Sequence, residues 1–411
     1  MDFLQDYLTY HQCYSVPRNY VIWSASGLIG AVVHRKVYCM IGDNEVYCPD
    51  YVLMVGPQGN GKSTCCDQAK KWFMKSCPGL AIGASNQSAE DIVKIMAKEG
   101  FEKIYKNEMD EPTEVRPMAF FVNEFKNWIS YNPIRMLNFL GDMYDRPFYD
   151  SGTIKRGAEV IVHPTMNILG CENPDQLIRF MKSDIITGGM ARRVIMVYEP
   201  GYGNPIPRPV ITPEARDAEA RVIQRLKDIQ KTVGKFKFSP DGEKFFDPWY
   251  VENHKRMAST ANAVMKGYLS TKSVHLQKTA MKLDIVSDKP MFLFTADLLE
   301  MSAALLDAIE DTMPKLSIAA GRNELMAPQQ ALLDALRSSD GMLPEKQVYI
   351  RMEAEMTRVE TWAVIDHLEK TDQIIKKELV YKNKLTQAVV KKVMLMLPEK
   401  FEELKQKGLI K

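Results

Sequence analysis

The alternation of apolar and polar positions changes character several times along this chain. Residues 1–35 read as helical, with a break at Pro17. Residues 36–48 (KVYCMIGDNEVYC) read as a β-hairpin, two β-rich runs around a Gly-Asp-Asn turn. Tyr51 to Val55 is a short, wholly apolar run, as expected of a buried strand. From there to about residue 200, apolar runs at Ala119–Val122, Thr165–Gly170 and Arg193–Tyr198 alternate with helical patterns. That alternation predicts an α/β domain with a largely parallel sheet. The Pro/Gly-rich stretch 199–213 (EPGYGNPIPRPVITP) reads as a linker, and 214–315 as mostly helical, broken by KFKFSPDGEKFF at 235–246. Beyond a Gly-Arg-Asn break near 321, amphipathic helix patterns at 327–338 and 357–370 flank a further helix. DQIIKKELVYKN (372–383) then supplies two short β-like runs, and a final helix follows. Three helices and a β-wing make a winged-helix pattern. The expected division is 1–50 (helical segment and hairpin), 51–213 (α/β core), 214–320 (helical lid) and 321–411 (winged helix).

Composition narrows the function classes only a little. Of 411 residues, 45% are hydrophobic and 26% charged, a globular balance. Lys plus Arg total 54 against 52 acids, so bulk charge gives no argument for nucleic acid, and only a local patch could. Seven scattered Cys with no CxxC pair argue against a disulfide framework or a structural zinc site. The six His show no ligand spacing, so His34, His163 and His275 read as packing or surface residues, and the 25 Met as core filler. The N-terminus carries early acids and no apolar core, unlike a signal peptide, and Trp23–Val33 is too short to span a bilayer. The expectation is a soluble, cytoplasmic protein with no membrane partner.

The strongest motif is YVLMVGPQGNGKST at 51–64, which fits GxxxxGK[ST] in full and stands between an apolar strand and a helical pattern. The chemistry needs these residues. Gly56, Gly59 and Gly61, with Pro57, Gln58 and Asn60 between them, let backbone N–H groups curl around phosphate oxygens. The helix N-terminus at Ser63 and Thr64 adds its positive end. Lys62, expected in a solvent-open loop, would place a charge on the β and γ phosphates, and Ser63 would offer a hydroxyl to Mg²⁺. ATP and Mg²⁺ are the implied cofactors. Alone, the segment could still be a glycine turn that happens to end in Lys-Ser.

Hydrolysis requires more. MAFFVNEF (118–125) is an apolar run ending in Asn123-Glu124, where the usual pattern ends Asp-Glu. Asn123 could bind a metal-bound water without charge, and Glu124 is available as the base. PTMNILGCENPDQL (164–177) ends in Asn173-Pro174, which either orients the attacking water or simply starts a turn. SDIITGGMARRVIMVYEP (183–200) offers Arg192 and Arg193 beside a flexible Gly188-Gly189. They form either a surface pair or a group that reaches a neighbouring chain's γ-phosphate. The acid-rich run with Asp142 and Asp145 reads best as a helix surface. The lysine pairs 376–377 and 391–392, on the wing and the final helix, read as solvated faces or phosphate contacts.

In order, GPQGNGKST, FFVNEF, ILGCENP and GGMARRVIMVYEP resemble the AAA+ fold in its helicase branch, the last two being similar to the minichromosome-maintenance helicases. Residues 15–320 resemble more closely a family of primase-helicase-like ATPases encoded by phages and mobile elements. The shared features are Trp23–Ala25, FLGDMYDRPF (139–148), Pro174-Asp175 and Gly189–Arg192. The resemblance implies that Asn173 is the first sensor and Arg192 an arginine finger acting in trans, with Arg193 as second choice. It implies a pore hairpin at 148–162 whose tip, Lys155 and Arg156, meets a DNA backbone, although a solvated basic turn reads nearly as well. It implies a lid helix at 271–286 whose Lys272 or Lys278 is the second sensor. The expected function is an ATP-dependent DNA helicase or translocase, a ring and most simply a hexamer, in the replication of a phage or mobile element. Single-stranded DNA would occupy its pore, with any primase a separate protein. The rivals are a helicase loader or DNA-remodelling ATPase, and a slow, non-translocating ATP switch that binds DNA through its winged helix. On sequence alone, Asn123→Asp is expected to leave ATP turnover intact or raise it; a severe fold defect would instead mark Asn123 as a buried structural residue.

Overall fold

The computed structural model describes residues 3–98, 102–104, 112–130, 132–153, 157–181, 191–313, 329–353, 357–382 and 389–410. The chain divides into two compact units, Met1–Ser317 and Ile318–Lys411. The segments expected separately at 1–50, 51–213 and 214–320 thus fall within one unit. No described helix is long and apolar enough to cross a membrane.

The first unit is mixed α/β. In chain order its elements begin with α1 (Phe3–His11), α2 (Arg18–Val33), β1 (Val37–Ile41), β2 (Asn44–Tyr47), β3 (Tyr51–Val55), α3 (Lys62–Ser76), β4 (Ala81–Gly83), α4 (Ala89–Lys98), β5 (Glu102–Ile104) and β6 (Thr113–Val122). They continue with α5 (Phe125–Ile129), α6 (Pro133–Met143), β7 (Phe148–Thr153), β8 (Gly157–Val162), β9 (Pro164–Glu172), α7 (Pro174–Met181) and β10 (Val194–Tyr198). The last are α8 (Pro213–Ile229), β11 (Gly234–Phe238), α9 (Pro240–Ser259), α10 (Ala263–Ile285), β12 (Leu293–Phe294) and α11 (Ala296–Glu310).

The central sheet runs β10–β3–β9–β6–β4, with β5 added to β6. Every pairing along β10–β3–β9–β6–β4 is parallel, and only β5 is antiparallel. Parallel sheets are covered on both faces, which is why β3 and β9 are buried along their whole length. β3 and β9 are neighbours, yet the next strand after β3 in this sheet is β4 at one edge, and the next after β9 is β10 at the other. Their outgoing connections leave in opposite directions. That is a topological switch point, which opens a crevice beyond the carboxyl ends of the strands.

A second sheet, β12–β11–β1–β2, joins the N-terminal hairpin to the helical segment. Val37 to Cys39 pair in parallel with Gly234 to Phe236. This pairing is one of the ties between the hairpin and the helical segment, and a single apolar cluster runs from Phe3 to Met313. α1 adds to it through Trp72 of α3, whose ring meets Tyr7, Tyr10 and His11 edge-on. The Arg221 guanidinium clamps the Asp6 carboxylate with two nitrogens, tying α8 to α1.

α10 departs from expectation. Lys272 and Lys278 are buried, not presented to a ligand. Lys272 pairs with Asp307 at 2.6 Å and with Glu310. Lys278 pairs with Asp145 at 2.7 Å and donates to the Pro49 carbonyl at 2.8 Å. Asp145 is therefore not a helix-surface acid. It lies beyond the end of α6, at φ 55°, as an ion-pair partner. Thr271, His275, Lys278 and Lys282 are spaced four, three and four apart, so they share one face. At its end Lys282 pairs with Asp50, which has no exposed surface and immediately precedes β3.

The second unit is smaller. A helical segment, α12, over 329–337 leads to β13 (Met342–Pro344), α13 (Glu345–Met352), α14 (Arg358–Lys370), β14 (Ile375–Lys382), β15 (Val389–Met396) and α15 (Pro398–Gln406). The strands form an antiparallel sheet in the order β13–β15–β14. Leu332, Leu336, Val348, Val364, Leu368 and Leu395 are among the residues of its own core. Lys391 and Lys392 lie on β15, not on the final helix, because VVKKVMLM pairs along the whole of β14. Lys376 is tied to Glu345 at 2.8 Å.

Burial alone would raise the Asp50 carboxyl, but Lys282, with His275 and Lys278 beside it, reverses that and holds it far below the carboxylate range. Removing Lys282 strands a buried charge. Lys282→Met should cost about 3–5 kcal/mol in denaturant unfolding, and adding Asp50→Asn should return most of it. Because the folded carboxyl is depressed, its contribution is complete above the ordinary carboxylate range and fades as pH falls below about 4. Equal losses in the single and double variants would contradict the pairing.

Candidate functional site

The glycine-rich loop 56–61 leaves the carboxyl end of β3 and enters α3 at Lys62. It stands at the switch point. Two glycines are demanded by geometry. Gly61, which caps α3, has φ 89°, and a Cβ there would meet the Val16 side chain at 2.4 Å. A Cβ on Gly56 would come within 2.2 Å of both Asn60 Nδ2 and Tyr20 Oη. The loop is thus closed down on its own asparagine and on α2. No side chain among the described residues caps the N-terminus of α3, so its first N–H groups are left to a ligand or solvent.

Lys62 is buried, contrary to the solvent-open position expected. Its ammonium donates to the carbonyls of Gly56 (2.6 Å) and Pro57 (2.7 Å) and to Asn60 Oδ1 (3.0 Å). Burial lowers its pKa, while Cys171 and Glu172 work in the other direction. The three acceptors are uncharged, so an incoming anion would be the stronger partner. Ser63, one residue on, is exposed, as are Gln58 and Gly59.

Sheet register sets the neighbouring groups. Val55 pairs with Glu172, and Val122 with Gly170, so the tips of β3, β9 and β6 stand side by side. Asn123 and Glu124 follow β6 and are both exposed. Asn123 Nδ2 donates to Asp67 Oδ1 of α3 at 2.8 Å. Glu124 accepts a hydrogen bond from Asn127. Asn173 caps the start of α7, its carbonyl accepting from Leu177 N at 3.0 Å.

Sequence reasoning missed several members of this site. Glu172 is buried and accepts from the backbone N–H of Lys126 (2.6 Å) and Asn173 (2.8 Å), fastening the Glu124 turn to the β9 tip. Its signal was an acid closing an apolar strand. Tyr20 gives no local signal. Its hydroxyl donates to Val55 O at 2.6 Å and accepts from Asn60 Nδ2 at 2.8 Å. Asn19 holds the Glu199 carboxylate at 2.6 Å, so α2 braces the ends of β3 and β10 together.

Two expected elements lie away from the loop. In the parallel register Val194 pairs with Tyr51 and Tyr198 with Val55. Arg192 therefore sits at the opposite end of the sheet, roughly 20 Å from the loop at about 3.3 Å per residue. Its side chain is exposed, whereas Arg193 is half-buried with its guanidinium 5.9 Å from the Tyr144 ring centre. His275 Nε2 meets the Arg192 carbonyl at 3.0 Å and Thr271 donates to the same atom, so α10 fixes the turn. The β7–β8 hairpin lies at the same end of the sheet, since β9 begins two residues after it. Its tip, Lys155 and Arg156, lies outside the described residues, as do Gly188 and Gly189.

No family model matches this chain, and no curated protein matches its sequence. The site's own residues offer an uncapped helix N-terminus, a buried ammonium among neutral acceptors, an exposed hydroxyl and an exposed carboxylate at one crevice. An open groove of about 620 Å³ between α13 and α14, lined by Tyr349, Ile350, Val359 and Trp362, shares no residue with it.

The brace is testable by stability. Tyr20→Phe should cost about 1–2 kcal/mol in thermal or denaturant unfolding. Combined with Asn60→Ala it should fall short of the sum by at least about 0.5 kcal/mol, since the two share a hydrogen bond. Strict additivity would mean that the two act independently.

Proposed function

We propose that the protein binds ATP with Mg²⁺ at residues 56–64 and hydrolyses it, as an AAA+ motor that assembles into a ring and acts on DNA. The observation that carries the reading is the glycine-rich loop closing on an uncapped α3 at the sheet's switch point, beside the tips of β6 and β9. A helix N-terminus and a lysine suit a triphosphate, and Ser63 beside them suits a cation that takes its other ligands from phosphate and water. Among the described residues no cluster of three or more His, Cys, Asp or Glu could hold a metal, in keeping with a cation brought by the nucleotide. When bound, Mg²⁺ would neutralise phosphate charge.

The chain's residues then have distinct tasks. Lys62 turns from loop carbonyls to phosphate. Glu124, exposed at the β6 tip, takes the proton of the attacking water. Asn173, at the adjacent tip, orients that water. Arg192 cannot serve the loop of its own chain, because the register puts it at the other end of the sheet. An exposed guanidinium on a backbone that α10 fixes by its carbonyl suits the γ-phosphate of a neighbouring chain, which is the support for a ring. The second unit, where α12, α13 and α14 stand with an antiparallel three-stranded sheet and α15 follows, suits a winged helix. DNA is supported only by the resemblance and by the basic tip at 155–156.

Lys62→Ala should abolish nucleotide binding, and Glu124→Gln should keep it while stopping phosphate release, because an amide cannot accept the proton. Normal turnover in folded Lys62→Ala protein would sink the site assignment. Arg192→Ala should bind nucleotide normally but not turn it over. Mixing it with Lys62→Ala protein should recover part of the ATPase activity, since some interfaces then join a sound pocket to a sound arginine. No recovery in a mixture shown to co-assemble would end the role in trans. Replacing both Lys155 and Arg156 by Ala should flatten the log–log salt dependence of DNA binding by roughly two units and lower DNA-stimulated turnover. Unchanged affinity would reduce the tip to a solvated turn.

A further inference from the structure

The strand tip at Asn123 lacks the acid that nucleotide-hydrolysing sites place beside their metal, and the structure puts a carboxylate within reach from another direction. Asp67 lies on α3 four residues after Ser63, so the two side chains share a helix face. Asp67 Oδ1 accepts a hydrogen bond from Asn123 Nδ2 at 2.8 Å, and both residues are exposed. With Nδ2 committed to Asp67, Asn123 keeps its Oδ1 as an acceptor, which Cys171 Sγ approaches only at 3.9 Å.

We propose that Asp67 supplies the missing negative charge toward the water shell of a nucleotide-bound divalent cation, with Asn123 as the oriented acceptor beside it. The inference rests on the nucleotide reading given above. The acid and the amide have exchanged elements: the carboxylate stands on the helix and the amide on the strand. The exchange keeps one charge and one hydrogen bond at this point of the site. It also reverses the simple expectation for Asn123→Asp. Restoring the strand acid would set two carboxylates about 3 Å apart, and like charges at that distance cannot both ionise without cost.

The test is a reciprocal exchange, read by binding as well as by turnover. Affinity for a fluorescent ATP analogue is measured with Mg²⁺ and with EDTA for the unmodified protein, Asp67→Asn, Asn123→Asp and the double variant Asp67→Asn/Asn123→Asp. The exposed positions and near-isosteric changes should leave the melting temperature alone. Each single variant should lose roughly tenfold of the Mg²⁺-dependent affinity, as expected for a charge-assisted contact. Binding in EDTA should stay unchanged, and the double variant should recover to within about threefold. Full Mg²⁺ dependence in Asp67→Asn, or a double variant no better than the singles, would overturn the role of Asp67 while nucleotide binding stands. Absence of nucleotide binding by the unmodified protein, with or without Mg²⁺, would overturn both readings.

Discussion

A single buried carboxylate organises the first unit. Asp50 has no contact with solvent and sits one residue ahead of the strand that carries the glycine-rich loop. Such a group is tolerated only if cations come to it, and Lys282 and Lys278 of α10 do so, with the His275 ring 3.9 Å away. Such a pairing adds little to net stability over an apolar contact of the same size, but losing either partner strands the other charge. From the same helix face, Thr271 and His275 hold the Arg192 carbonyl. One helix thus fixes both the root of β3 and the turn that precedes β10.

This constraint gives the proposed chemistry its geometry. β3 and β10 are hydrogen-bonded neighbours, with the loop at one end of the pair and Arg192 at the other. The second sheet, which joins β1 and β2 to β11 and β12, ties the N-terminal hairpin and the helical segment to the same body. Hairpin, core and helical segment are therefore one compact unit, although the sequence reads as three pieces.

What was legible in the sequence was local. The run Tyr51–Val55, the glycine spacing after it and the hairpin within 36–48 follow from apolar periodicity and turn chemistry, while the hairpin at 148–162 was implied only by the family resemblance. The pairing of β1 with β11 was not legible, because partners almost two hundred residues apart leave no mark on periodicity. β15 was read as helix, since Lys, Met and Leu favour one, and pairing with β14 overrides that preference. Lys272 and Lys278 are second-sensor candidates only through the family resemblance, and their acidic partners on other elements, which periodicity does not reveal, explain their burial. At the site, the loop and the strand-tip residues Asn123, Glu124 and Asn173 were readable from motif order. Tyr20 and Asp67 were not, since each is bonded to a neighbour distant in sequence, and Glu172 offered only an acid closing an apolar strand.

Amide hydrogen exchange of the unmodified full chain, with and without Mg·ATP, tests the proposed nucleotide site beyond β3 without any substitution. A nucleotide bound there slows exchange at 56–64 and at the neighbouring tips 122–125 and 172–174. Unchanged exchange at 56–64 under millimolar nucleotide would contradict it.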